Sequence, residues 1–300
     1  MTDRWSGGTG SGVRRAWVAG LRGANEGGGQ IACALACAMI ELVVALGLML
    51  GTWATLRGGF VVAGARGFRV IGFDPNAVGL GALAIAAAVY FYGWAFGAAI
   101  ILAVALHEFG HVVAFRVCGH SDARFRLIPI LGGVAISNRL PASQDRAFFI
   151  ALLGPAICLA PMTLAYAASA LLFQAAPTLA TFLYVFAMVL GSFNFFNLLP
   201  FWPLDGGRIV QILAQTYIPW ATRQVSIAMT VIGAALAFAT QSYIILFFIL
   251  ISWGGLLQSE AILGLQRPMS KRVGLLALAA YGMTAAAFLH GGGQILMGFL

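Results

Sequence analysis

The chain is a succession of apolar runs, at residues 31–56, 77–118, 146–173, 180–199, 225–239, 243–257 and 273–290, separated by short polar connections. About 20 apolar residues span a bilayer as a helix, whereas the strands of a membrane barrel are shorter and alternate in polarity. With 61% hydrophobic and 9% charged residues, a soluble domain would lack the charge to cover its surface. The run at 77–118 is too long for one crossing and is expected to divide within residues 90–97, where Gly93 and Gly97 flank Trp94 and the aromatic residues suit a membrane interface. These lengths predict an all-α integral membrane protein of about six to eight transmembrane helices. Residues 31–300 are expected to form a single polytopic membrane domain behind a mobile tail at 1–30.

One of these runs carries chemistry. His107-Glu108-Phe109-Gly110-His111 lies near the end of the 77–118 run. On a helix, residues four apart project from one face, so the two imidazoles can converge on one metal ion. Glu108 projects from a neighbouring angle, where a carboxylate can take a proton from water at the metal. A pair of buried histidines satisfied by backbone carbonyls is the plain alternative, but it leaves three costly ionisable groups gathered in an apolar segment. Five to nine residues of helix separate the motif from Arg116, a depth of about 7 to 14 Å at the helical rise. The site is thus expected within the membrane but close to one surface. Glu41, in the first run, is either a proton or substrate contact or a protonated or partnered structural residue.

The connections add structure of their own. Residues 60–63 and 68–73 can pair as a small hairpin, and Asp74-Pro75-Asn76 reads as a turn and helix cap. Residues 125–136 alternate unevenly and contain Pro129 and Gly132-Gly133, which predicts a small membrane-associated β element between the motif helix and the next span. Its unpaired edge is a natural place for an extended peptide to add as a strand, with Leu131, Gly132 and Gly133 as the candidate element. The net charge of +8 comes from arginine and a single lysine, Lys271. In such a chain this excess points to orientation and anionic lipid headgroups, and no nucleic-acid partner is expected. If eight segments alternate, connections holding thirteen of the seventeen basic residues share one side, so that side is expected to be cytoplasmic, with the motif near it. The tail at 1–30, with four arginines, then faces out against this rule, so either it is an exception or the first segment is re-entrant and does not cross. Cys33, Cys37, Cys118 and Cys158 read as small packing residues.

Two histidines leave a zinc site short of the three protein ligands that a catalytic site usually has. Asp205 is the best candidate for the third: it follows a span, falls on the motif's side, and sits between two prolines and two glycines that stiffen and then turn the backbone. At this point the sequence resembles a known family. The His107–His111 motif on one apolar segment, with Asn197-Leu-Leu-Pro-Phe-Trp-Pro-Leu-Asp205-Gly-Gly at the end of a later one, resembles the site-2 proteases, a family of intramembrane zinc metalloproteases. Leu131-Gly132-Gly133-Val134 and Leu153-Gly154-Pro155 fit the same pattern, and the likeness covers about residues 90–215, the expected catalytic core.

The resemblance implies one Zn2+ per chain held by His107, His111 and Asp205, with Glu108 as general base. Asn197 matches the family's asparagine, which implies a role in orienting substrate or stabilising the oxyanion, with a structural cap as the other reading. It further implies a substrate that is a membrane-anchored protein cut in or near its transmembrane segment, and a multi-pass protein of a bacterial-type cell membrane. The rival reading is a zinc-binding membrane protein that holds substrate helices without cutting them. The oligomeric state is not legible.

Overall fold

A computed structural model of the chain describes residues 28–61, 75–128 and 132–297. Most of the expected N-terminal tail, residues 62–73 of the expected hairpin and Leu131 lie outside these residues, and Phe60 and Val61 are helical. The described chain is mostly helical: α1 (Gly28–Val61), α2 (Pro75–Val117), α3 (Gln144–Ala156), α4 (Leu159–Leu172), α5 (Pro177–Asn197), α6 (Asp205–Tyr217), α7 (Thr222–Ala239), α8 (Tyr243–Gly264) and α9 (Lys271–Met297). Helices suit such sequences because each satisfies its own backbone hydrogen bonds, which lipid cannot do. Six helical stretches among the described residues are long and apolar enough to cross a membrane: Leu35–Gly58, Ala88–Val117, Gln144–Leu172, Pro177–Asn197, Pro219–Ala239 and Lys271–Gly293.

Two of the long runs are interrupted. Gly93, at φ 78° and ψ 163°, breaks α2 inside the expected interval. This left-handed φ is open to glycine at little cost. The chain doubles back so tightly there that a Cβ at Gly97 would lie 2.7 Å from Val89 backbone atoms. Tyr90, Phe91, Tyr92 and Trp94 stay exposed around the break. The 146–173 run divides after Pro155, where a turn at Ile157 and Cys158 separates α3 from α4. Between α2 and α3, β1 (Arg124–Ile128) pairs antiparallel with β2 (Gly132–Ile136), with Arg124 opposite Ile136 and Ile128 opposite Gly132. Both strands pack on α2.

α5 is the central helix, packed by α2, α4 and α9. Its core contacts include Val185, Leu190, Met162 and Phe288. Small residues let α9 approach it: a Cβ at Gly292 would fall 2.2 Å from the Ser192 backbone nitrogen, and one at Gly191 would fall 2.5 Å from the Gly292 nitrogen. Ser192 Oγ donates to the Gly292 carbonyl at 2.9 Å, and Tyr166 donates to the Gly291 carbonyl. Read as sequence, the C-terminal glycine-rich stretch has no evident role; in the structure Gly291 and Gly292 are the contact surface of α9 in a crossing of the small-residue type found in membrane bundles.

Gly292→Ala is therefore expected to destabilise the bundle by about 1–3 kcal/mol through overpacking. Gly282→Ala, on the same helix with nothing within 4 Å of its added Cβ, is expected to be neutral or slightly stabilising. Thermal unfolding of the two purified variants in one detergent checks the contrast.

Candidate metal centre

His107 and His111 stand one turn apart on the half of α2 that follows the break, and their Nε2 atoms are 3.1 Å apart. Asp205 opens α6, and its Oδ2 lies 3.1 Å from His107 Nε2 and 3.2 Å from His111 Nε2. Their side chains are buried, with residue exposures of 2%, 8% and 9% in the order His107, His111, Asp205. Three ligand atoms thus mark a nearly equilateral triangle. A tetrahedral zinc with bonds of about 2.0–2.1 Å has ligand–ligand edges of about 3.3 Å, so this donor set fits such an ion. The residues form a group able to hold a metal ion.

The opposite ring nitrogens decide how the imidazoles present themselves. His107 Nδ1 is 2.8 Å from Asn194 Oδ1, and His111 Nδ1 is 2.8 Å from the Ile150 carbonyl. Both oxygens only accept, so each Nδ1 carries the proton and each Nε2 turns a lone pair inward. Asn194 is itself held, its Nδ2 donating to the Leu190 carbonyl at 2.8 Å, which fixes which end of the amide faces His107. Sequence reasoning gave Asn194 no role. The signal available was an amide set deep in an apolar helix, where an unpaired polar group is costly.

Glycines set the depth of the two histidines. A Cβ at Gly110 would lie 2.5 Å from the Leu153 carbonyl oxygen, and a Cβ at Gly154 would lie 2.2 Å from the His111 ring. The Leu153-Gly154-Pro155 sequence therefore lets α3 touch the motif helix and leaves room for the imidazole. The second contribution, Asp205, is placed by a folded loop. A Cβ at Gly206 would sit 2.2 Å from the Leu198 carbonyl, and one at Gly207 would sit 2.5 Å from Phe201. Tyr281 of α9 donates to the Leu198 carbonyl at 2.6 Å, and the Phe201 ring seats against Gly233 of α7. Burial opposes the charged form of Asp205, yet where the facing His111 and His107 are protonated they hold its carboxyl well below the usual carboxylate range.

Glu108 is buried beside this triangle, close enough to interact electrostatically with His107, His111 and Asp205, and the Ala135 amide of β2 is turned toward its carboxylate. Asn197 Nδ2 donates to the Phe193 carbonyl, one turn back on α5, at 2.9 Å. Gly132 and Gly133 lie on β2 opposite Ile128 and Leu127. His120 takes no part in the cluster; its Nδ1 meets Ser137 Oγ at 2.8 Å, and Ser137 donates in turn to Asp122. The Asn138 backbone N–H is the main influence holding the Asp122 carboxyl below its ordinary value. Cys158 is buried, whereas Cys37 is exposed on α1 and packs against little.

If Asn194 sets the orientation of His107, Asn194→Ala is expected to weaken metal binding about 10- to 100-fold. Asn197→Ala is expected to leave it unchanged. Competition with a chromophoric chelator reads both.

Three comparisons bear on kinship. The sequence pattern of Peptidase family M50 matches residues 160–240. That segment contains Asn194, Asn197 and Asp205 and begins beyond the histidine pair that the fold brings against it. No curated protein matches the chain. Among solved structures it is similar to a site-2 protease from Methanocaldococcus jannaschii, at 23% identity and a TM-score of 0.38, over 70% of this chain and 88% of that one. The M50 likeness is thus confined to the segment that carries Asp205.

Proposed function

We propose that the protein is a zinc metalloendopeptidase that hydrolyses a peptide bond in or near the transmembrane segment of a membrane-anchored protein. The observation that carries this reading is the convergence of His107 Nε2, His111 Nε2 and Asp205 Oδ2 with a buried carboxylate, Glu108, at their side. His107, His111 and Asp205 would hold one zinc ion. When bound, zinc supplies Lewis acidity, lowering the pKa of water and polarising a carbonyl.

The remaining work belongs to the chain. Glu108 accepts the proton of the attacking water and returns it to the leaving amide nitrogen. Asn194 and the Ile150 carbonyl keep the imidazoles from rotating out of register. β2 runs beside Glu108, so a substrate segment can pair with the free edge of that strand near Gly132 and Gly133. Asn197, one turn beyond Asn194 toward the Asp205 loop, is assigned the substrate or oxyanion contact. A helical substrate must unwind before its carbonyl is exposed, so residues of poor helix propensity are expected near the cut. The basic connections support a cytoplasmic position for the open end of the site.

Glu108→Gln is expected to keep its zinc and lose cleavage of a membrane-anchored reporter by about 10²- to 10⁴-fold. Asp205→Asn is expected to lose zinc as well. Metal analysis beside the reporter assay separates the two. Retained cleavage in Glu108→Gln contradicts the mechanism, and full zinc with no cleavage of any membrane protein by the wild type favours a binding role instead.

A further inference from the structure

Beside the metal cluster lies a cavity of ≈ 380 Å³ built by the same elements that hold it, with α8 closing the far side. Phe115 comes from α2, Ala135 from β2, Ile150 from α3 and Arg208 from α6. Two of these tie the cavity to the chemistry directly: the Ile150 carbonyl orients His111, and the Ala135 amide faces Glu108.

The lining has a definite chemical character. Leu140, Ile262 and Leu263 make it apolar, and no carboxylate is among its lining residues. Arg139 and Arg208 stand exposed on it. Arg208 lies over the Trp202 ring at 5.7 Å, and Arg139 is near enough to Asp122 to influence it, which leaves a net positive rim. Gln266, only 8% exposed, lines the cavity and has an amide oxygen with no hydrogen-bond partner among the described residues.

We propose that this cavity receives the stretch of substrate chain flanking the scissile bond, and that Arg139 and Arg208 favour stretches bearing carboxylate side chains. The inference rests on the peptidase reading above and adds to it a substrate class. The Ala135 amide, on the cavity wall and facing Glu108, favours a polypeptide at this place over a phospholipid headgroup. Continuity with Glu108 favours the substrate over an unrelated peptide.

The test uses the full-length protein in liposomes with three membrane-anchored reporters that differ only in the residues flanking the cut: acidic, neutral or basic, scanned on either side. The acidic reporter is expected to be cut with a kcat/KM about five- to tenfold above the neutral one, an advantage that shrinks at high salt. The double variant Arg139→Glu/Arg208→Glu is expected to reverse the order, favouring the basic reporter. Unchanged order in that variant, with its zinc retained, overturns the proposal. A second readout does not depend on cleavage: a photo-crosslinking residue at exposed Gln258, on the cavity wall, in a Glu108→Gln background. Adducts with the acidic reporter are expected, and adducts with lipid alone overturn the proposal. If the wild type cuts no reporter while Gln258 still crosslinks the acidic one, the peptidase reading fails and the binding site stands.

Discussion

Three acceptor atoms from two distant parts of the chain point at one spot in the interior of the protein. Each is a lone pair, and lone pairs about 3 Å apart in a low-dielectric setting repel unless a proton or a cation lies between them. Several contacts of the central bundle serve that convergence. The outer nitrogens of both imidazoles are tied to oxygens that only accept, so a neutral ring turns its lone pair inward, and only a second proton or a cation relieves the repulsion. A shared metal ion would resolve the arrangement, and a helical scaffold holds the three side chains in place.

That scaffold works through close contact between helices. In lipid there is no hydrophobic drive to press helices together, so approach depends on small side chains and on polar groups that find each other. Gly110 and Gly154 bring α3 onto the motif helix, and Gly191 and Gly292 bring α9 onto α5. The second crossing involves none of the three candidate ligands, yet α9 also carries Tyr281, which holds the loop before Asp205 through the Leu198 carbonyl. Packing at the C-terminal helix thereby helps place the third ligand.

Much of the site could be read from sequence because its elements have simple periods. His107 and His111 are four apart, so any helix puts them on one face, and the Pro-Leu-Asp-Gly-Gly turn marks Asp205 by its stiffness. The break in α2 is legible as a glycine among aromatic residues. Asn194 was not legible in its role. Asn194 and Asn197 are three apart on one helix, and only the packing of α5 against α2 decides which of them meets His107. The Ile150 carbonyl is a backbone atom with no sequence signature at all. The cavity beside the site is likewise invisible in one dimension, since Arg139, Arg208 and Gln266 converge only when the hairpin, α6 and α8 are assembled.

The central claim is that His107, His111 and Asp205 share one metal ion, and the most direct measurement is zinc-edge X-ray absorption of the purified protein. The expected spectrum shows one zinc per chain with a first shell of nitrogen and oxygen at about 2.0–2.1 Å and the outer-shell scattering of two imidazoles. A protein without stoichiometric zinc, a shell with sulfur at about 2.3 Å, or a spectrum unchanged by Asp205→Asn would contradict it.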